Sequence, residues 1–147
     1  MVTISIEYKG DLRCVARHDP SGVELVTDAP VDNQGKGESF SPTDLLGAAF
    51  GTCMLTIMGI QAQALKVNIR GTRVKVTKEM TKESPRRTAR LTVEFWIPCE
   101  PEEKVRERLI RAAESCPLHH SLHPDVEKVS RYYWGVASEG AIDKPGS

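Results

Sequence analysis

The sequence predicts an α+β fold that combines antiparallel sheet with two main helices. Three observations support this. Alternating apolar and polar residues mark three short strands near the start, one long apolar segment indicates a buried helix, and two further strands precede a second helix. The order βββ-α-ββ-α-β lacks the regular βαβ alternation of a Rossmann sheet, and the sequence contains no glycine-rich phosphate loop.

The first three strands are predicted at residues 2–8, 12–18 and 23–29, where side chains alternate as in half-buried strands. Short turns join them, and the second turn, DPSG at 19–22, consists of residues that favour turns. These features predict an antiparallel meander. The Gly-, Pro- and Asn-containing residues 30–40 are predicted to form a flexible loop.

A long helix is predicted over residues 41–66. Ser41 is a favourable N-cap, Pro42 suits the first helical position, and Asp44 complements the helix dipole. The segment is apolar, but its Asp, Gln, Gly and Thr residues favour a buried helix over a membrane span. Two glycines in its middle, each costing about 1 kcal/mol relative to alanine, suggest that another backbone packs closely there.

The remaining elements follow from the same patterns. They are two strands joined by a hairpin loop, a second helix, a short turn and a last strand, at residues 69–80, 89–99, 101–115, 117–123 and 126–138. We predict a single domain over residues 1–147, with a frayed tail at 139–147.

Composition narrows the class of protein. The 147 residues include 20 Lys plus Arg and 20 Asp plus Glu, a balance that favours neither nucleic acid nor an anionic membrane as a partner. No signal-peptide pattern is recognised, so a cytoplasmic location is expected. The four cysteines form neither a dense disulfide framework nor a CxxC pair, which favours a redox role over a structural one for any disulfide.

Cys53 lies in the middle of the predicted long helix. Its neighbours at three and four positions are mainly apolar, and free cysteine is among the most buried residue types, so one interpretation is a core position. A reactive thiolate there would need a cation or hydrogen-bond donor, because an apolar environment raises the pKa of a thiol. The local sequence leaves both interpretations open.

Cys116 follows the second helix, and the proline after it stops that helix. If Cys116 caps the short turn at 117–123, backbone N–H groups point at its sulfur and favour the thiolate. Alternatively, it completes the apolar stripe of the second helix. A zinc site of Cys116, His119, His120 and His123 is a third hypothesis, although the spacing differs from the usual paired ligands.

Four stretches covering most of the chain carry a further signal: YKGDLRCVARH, TDAPVDNQGKGESFSPTDLLGAAFGTCMLTIMGI, KEMTKESPRRTARLTVEF and ESCPLHHSL. Together they resemble the OsmC/Ohr family, the osmotically inducible protein C and organic hydroperoxide resistance proteins, and most closely its OsmC-like branch. The resemblance implies an α+β OsmC-like fold. Antiparallel sheets would wrap around long central helices in an intertwined homodimer, with active sites at the subunit interface.

The same resemblance implies a thiol-dependent reductase of organic hydroperoxides. Cys53 matches the peroxidatic cysteine and Cys116 the resolving cysteine of the family. The implied partners are a small apolar hydroperoxide as substrate and an external dithiol as reductant. No metal, haem or flavin cofactor is expected.

Two positions depart from the peroxidases of the family. Thr43 stands ten residues before Cys53, where those proteins have a glutamate that pairs with a thiolate-activating arginine. Arg13 is the nearest arginine to the family position and is predicted to stabilise the Cys53 thiolate. Because Thr43 carries no charge, the alternative function is a redox-sensing or apolar-ligand-binding module with little peroxidase turnover.

Overall fold

The computed structural model describes residues 1–136. The last two residues of the strand predicted at 126–138, and the tail predicted at 139–147, lie outside the described residues. The chain divides into two compact units, Met1–Leu46 and Gly47–Ser147.

The first unit contains the predicted three-stranded meander. Its strands are β1 (Ile4–Gly10), β2 (Arg13–His18) and β3 (Glu24–Thr27), all antiparallel in the order β1-β2-β3. Asp11 and Leu12, between β1 and β2, both have positive φ, which makes this connection tight. The antiparallel prediction for these strands is confirmed.

One face of this sheet is apolar and exposed. The pairing of Ile6 with Ala16, and of Ala16 with Leu25, places these side chains on the same face. On that face Ile4, Ile6 and Tyr8 are 59%, 68% and 62% exposed, and Leu25 is 43% exposed. The alternation of apolar and polar residues along β1 therefore gives this sheet an apolar face that is exposed in the single chain.

Hydrogen bonds join the two ends of the loop at residues 30–40, which was predicted to be flexible. The N–H of Asp28 donates to the carbonyl of Phe40 at 3.0 Å, and the N–H of Glu38 donates to the buried Asp28 carboxylate at 3.0 Å. A Cβ atom at Gly35 would lie 1.7 Å from the carbonyl oxygen of Ala29, so only glycine fits there. The buried Asp28 carboxylate thus gives the loop an internal anchor that the sequence did not indicate.

Helix α1 (Pro42–Ala64) begins in the first unit with the predicted cap. The N–H of Asp44 donates to the Ser41 hydroxyl at 3.1 Å, and the N–H of Ser41 donates to the Asp44 carboxylate at 2.9 Å. This reciprocal pair satisfies two backbone donors that a helix start would otherwise leave free. The predicted start of the helix is confirmed.

The second unit contains a sheet of three strands, β4 (Arg73–Met80), β5 (Thr88–Ile97) and β6 (Glu127–Trp134), in the order β4-β5-β6. Strands β4 and β5 form the predicted antiparallel hairpin, whereas β6 pairs with β5 in parallel. The helices α2 (Glu103–Glu114) and α3 (Pro117–Ser121) connect β5 to β6. A connection through helices returns the chain to the end of the sheet where β5 began, so β6 must run parallel.

The core of the second unit is formed by one face of α1, the inner face of β5 and one face of α2. Its fully buried apolar side chains include Phe50, Met54 and Met58 from α1, Leu91, Val93, Phe95 and Ile97 from β5, and Leu109 and Ala113 from α2. The predicted buried helix is therefore buried along one side. By length and hydropathy α1 could also cross a membrane, a test that core helices of soluble proteins pass as well.

Within the chain, the glycines in the middle of α1 face a side chain of the second unit's sheet. A Cβ atom at Gly51 would lie 2.6 Å from Cγ2 of Val76 on β4, whereas one at Gly47 would lie 3.5 Å from Cγ1 of the same residue. The close neighbour within the chain is thus a β-branched side chain of the sheet rather than another backbone. Gly51 lets α1 approach the sheet closely.

Candidate active site

Cys53 lies on α1 one turn after the fully buried Phe50. Because residues three apart share a helix face, Cys53 sits at the margin of the core, where its side chain is half-buried and packs against the apolar cluster. The core interpretation of its sequence position is met in part. The thiol contacts the core, and it also retains access to solvent.

Cys116 is fully buried and caps α3, as one of its sequence interpretations predicted. The N–H of His119 donates to the Cys116 sulfur at 3.3 Å and to the Cys116 carbonyl at 3.0 Å. The chain takes this form because Pro117 occupies the first helical position and the cysteine before it is extended. The sulfur also belongs to the apolar core cluster, so the second interpretation holds too.

The fold brings Cys53 and Cys116 together. Burial, as the largest cause, raises the pKa of the Cys116 thiol, and a hydrogen bond and charge interaction with Cys53 raise it further. The N–H groups of His119 and Leu118 lower this pKa, but they do not offset the other effects. The N–H groups of the cap therefore favour the thiolate as expected, but burial outweighs them and the pKa of Cys116 is raised.

All four cysteines are free thiols, so Cys53 and Cys116 stand side by side in reduced form. Two neighbouring thiols, one half-buried and one fully buried, can form a disulfide once either sulfur is oxidised. Cys14 on β2 and Cys99 after β5 are half-buried and lie outside this pair.

The three histidines of the zinc hypothesis differ in environment. The His119 ring packs against Phe50, with ring centroids 5.9 Å apart, whereas His120 and His123 are exposed. Within residues 1–136, no group of three or more His, Cys, Asp or Glu side chains is arranged to hold a metal ion. The zinc hypothesis thus gains no support from the geometry.

A polar group beside Cys116 was missed by the sequence analysis. Glu114 at the end of α2 accepts hydrogen bonds from the Ser130 hydroxyl at 2.7 Å and from the Tyr132 hydroxyl at 3.4 Å. Burial is the main cause that raises the pKa of Tyr132, and Cys116 adds to it. The inward alternation of Ser130 and Tyr132 is visible in the sequence, but the parallel pairing that brings β6 beside α2 is not.

Arg13, the predicted thiolate stabiliser, lies in the first unit at the start of β2. Its guanidinium pairs with the carboxylate of Glu38 and lies 3.7 Å from that of Asp28. The Glu38 side chain raises the pKa of Arg13. The N–H of Glu38 lowers the pKa of Asp28, and Arg13 lowers it further against the opposing effect of burial. Arg13 is therefore a fixed cation that joins β2 to the loop.

Asp28 and Thr43 are two further polar residues of the first unit. Asp28 is 1% exposed, and its Oδ1 makes no hydrogen bond of normal geometry, although the N–H groups of Ala29 and Lys36 contribute to its lowered pKa. Thr43 shares a hydrogen bond with the Ser41 hydroxyl at 3.2 Å, in the first turn of α1. No sequence signal singled out Asp28, because a carboxylate at a strand end is ordinarily solvated.

The sequence matches the model of the OsmC-like protein family over residues 35–128, a region that contains both Cys53 and Cys116. The chain belongs to the OsmC-like protein family. The recognition made from the sequence motifs is thereby confirmed, and so is the α+β OsmC-like fold. A search of curated proteins finds no match.

Solved structures of the family resemble the chain along nearly its whole length. A protein from Psychrobacter arcticus, provisionally assigned to osmotic stress induction and a detoxification response, is 43% identical, with a TM-score of 0.86 over 90% of this chain and 96% of that one. An organic hydroperoxide resistance protein OsmC from Legionella pneumophila is 15% identical, with a TM-score of 0.70 over 90% and 96%. An organic hydroperoxide resistance protein from Elizabethkingia anophelis is also 15% identical, with a TM-score of 0.74 over 91% and 96%. At 15% identity, these last two likenesses concern the fold.

Proposed function

We propose that this protein is a thiol-dependent reductase of organic hydroperoxides, with Cys53 as the peroxidatic and Cys116 as the resolving cysteine. The observation that carries the proposal is the proximity of these two thiols: Cys53 helps to raise the pKa of Cys116, although the two lie far apart in the sequence. Membership of the OsmC-like family and the likeness of its fold to organic hydroperoxide resistance proteins support it.

The cycle needs only thiol chemistry. The Cys53 thiolate attacks the O–O bond of the hydroperoxide, takes one oxygen as a sulfenic acid and releases the other as an alcohol after protonation. The Cys116 sulfur then displaces the sulfenic oxygen as water and forms the Cys53–Cys116 disulfide. An external dithiol reduces this disulfide by exchange. The proposal includes no metal, haem or flavin.

The surroundings of Cys53 favour an apolar substrate. Cys53 packs against a buried apolar cluster that contains Phe50 and Met54, and Leu118 packs against the same cluster. An alkyl group would contact such side chains favourably, whereas hydrogen peroxide would gain nothing from them. We therefore assign small alkyl hydroperoxides as the substrate class.

We further propose a cytoplasmic homodimer. The exposed apolar face of the first sheet, with Ile4, Ile6 and Tyr8, is the kind of surface that a second copy covers. Ile6→Lys should shift the protein from dimer to monomer in analytical ultracentrifugation, because the lysine would place a charge in that interface. Ser5→Lys, on the opposite face of β1, is the matched control and should leave the dimer intact. An unchanged dimer in Ile6→Lys would exclude this face as the interface.

Arg13 is proposed as the cation that stabilises the Cys53 thiolate. The two carboxylates that hold it in place support a fixed position for its charge. Arg13→Gln should slow the alkylation of Cys53 at neutral pH, and Arg17→Gln on the same strand is the control. Equal alkylation rates in both variants would remove Arg13 from the mechanism.

A redox sensor with little turnover is the second candidate. Thr43, in place of the glutamate of the peroxidases, favours it, because the hydroxyl of Thr43 carries no charge. The experiment that separates the two treats reduced protein with one equivalent of cumene hydroperoxide, maps disulfides by mass spectrometry and follows dithiol-coupled turnover. Fast formation of the Cys53–Cys116 disulfide with sustained turnover supports the reductase. Slow, stoichiometric oxidation supports the sensor.

A further inference from the structure

The resolving step poses a chemical problem at Cys116. Its sulfur is fully buried, and burial together with the Cys53 thiol raises its pKa. A thiol that stays protonated at neutral pH is a poor nucleophile, because the thiolate is the species that attacks. Rapid disulfide closure therefore needs a nearby group that accepts the Cys116 proton.

Three polar side chains near this site are poorly suited to that role. The Glu114 carboxylate already accepts hydrogen bonds from Ser130 and Tyr132. The raised pKa of Tyr132 keeps its phenol protonated. The Lys128 amine donates to the carbonyl of Val126 at 3.0 Å, and an ammonium group has no lone pair to offer.

His119 meets the requirement. Burial, as the largest cause, lowers its pKa, and Lys128 and His120 lower it further, while Glu114 acts in the opposite direction. The imidazole is therefore neutral at pH 7 and can accept a proton. These charged groups come from α2, α3 and β6, the neighbouring elements that affect its titration.

His119 contacts both Cys116 and the helix that carries Cys53. Its backbone N–H donates to the Cys116 sulfur at 3.3 Å, so the backbone of His119 lies beside that sulfur. Its ring packs on Phe50, 5.9 Å between centroids, and Phe50 shares a face of α1 with Cys53. The backbone of His119 thus lies at the Cys116 turn, and its ring contacts the face of α1 that also carries Cys53.

We propose that the imidazole of His119 is the proton shuttle of the resolving step, an inference that rests on the proposed reductase cycle. As the Cys116 sulfur forms a bond to the Cys53 sulfur, its proton passes to the imidazole. The S–O bond of the sulfenic acid breaks, its electron pair leaves with the hydroxide, and the imidazolium protonates that hydroxide to water. One disulfide and one water form, and His119 returns to its neutral state.

The test measures disulfide closure separately from sulfenic acid formation. Reduced protein is mixed with one equivalent of cumene hydroperoxide, free thiols are quenched over time, and a dimedone probe traps Cys53 sulfenic acid. His119→Gln should form sulfenic acid at the wild-type rate but close the disulfide about 100-fold more slowly at pH 7. His123→Gln, which removes an exposed imidazole nearby, should close at the wild-type rate.

Two further measurements exclude a merely structural effect. Added imidazole should accelerate closure in His119→Ala, because it restores the missing base. In the wild type, the closure rate should rise as pH passes the lowered pKa of His119, below its ordinary value of 6.5, and then stay level to pH 8. A rate that instead climbs steadily to pH 9 would assign the step to simple thiol ionisation.

The outcomes are distinct. Wild-type closure in His119→Gln, or equal slowing in His120→Gln, overturns the assignment to His119 while the reductase cycle stands. If no sulfenic acid forms at Cys53 in the wild type, the proposed reductase function fails. In that case diamide, which oxidises Cys53 without peroxide, still tests whether His119 accepts the Cys116 proton. Equal rates of disulfide closure in wild type and His119→Gln would overturn the inference.

Discussion

Cys53 and Cys116 are neighbours, yet their surroundings differ. Cys53 projects from the middle of a 23-residue helix at the margin of the core and remains half-buried. Cys116 caps a five-residue helix, has no exposed surface and accepts a hydrogen bond from the backbone N–H of His119. Cys53 is therefore accessible to a reagent from solvent, whereas Cys116 is accessible to the neighbouring Cys53.

This difference suggests that the two cysteines react in a fixed order. A peroxide from solvent can reach the half-buried sulfur first, and the buried sulfur is protected from the same oxidant until its neighbour has reacted. The raised pKa of Cys116 reinforces that order, because a protonated thiol reacts slowly with peroxide. The environments of the two sulfurs therefore support the proposed roles of Cys53 and Cys116.

The largest expected effect comes from exchanging each sulfur for oxygen. Cys53→Ser should lower the rate of dithiol-coupled turnover by several orders of magnitude, because the nucleophile is lost. Cys116→Ser should still reduce one equivalent of hydroperoxide and then accumulate Cys53 sulfenic acid, which mass spectrometry detects. Cys99→Ser is the control and should turn over normally. Normal turnover in Cys53→Ser would reverse the assignment of roles.

Alkylation rates should also separate the two thiols. At pH 7, iodoacetamide should modify Cys53 faster than Cys116, since Cys116 is fully buried and its raised pKa lowers its thiolate fraction. Peptide mass spectrometry of a time course measures both rates. Equal rates would contradict the different environments of the two sulfurs.

The raised pKa of Cys116 also predicts a pH dependence of stability. Because the folded-state pKa exceeds the ordinary thiol value of 9.0, the stabilisation is complete below that value and is lost as pH rises through the raised pKa. The free energy of unfolding by urea should therefore stay level below about pH 9 and fall above it. Cys116→Ser should show a shallower decline, and an identical decline would remove Cys116 as its source.

The close approach of α1 to the sheet can be tested at two glycines. Gly51→Ala should lower the free energy of unfolding by about 1–3 kcal/mol, because the new methyl group would overlap Cγ2 of the stiff Val76 side chain. Gly47→Ala meets only ordinary contacts and should be neutral or slightly stabilising. Urea denaturation compares them. A stable Gly51→Ala protein would show that α1 can shift without loss.

The smallest effect is expected at the start of α1. Ser41→Ala should cost about 1 kcal/mol of stability, because the N–H of Asp44 loses its acceptor. Ser41→Thr retains the hydroxyl and should be close to wild type. The relative alkylation rates of Cys53 and Cys116 should stay unchanged in both variants. A change in those rates would mean that the helix start influences the site.

Much of the fold was accessible from local patterns. The alternation in β1–β5, the Ser41–Asp44 cap and the Pro117 boundary each depend on neighbours in the sequence, and the structure confirms all of them. The parallel β6 was missed, because pairing depends on where two helices return the chain. The order in the loop around Asp28 was also missed, since its anchor is a buried carboxylate and not a local turn signal.

The sequence by itself determined the family and the α+β class, because the motifs SPTDLLGAAFGTC and CPLHHSL are local and specific. The same motifs contain the two cysteines that are proposed to react. Tertiary structure decided how those cysteines differ. It buried Cys116, set Cys53 beside it and placed the His119 ring against α1. The pKa of a thiol depends on burial and on charges supplied by distant segments, and only the folded chain brings those together.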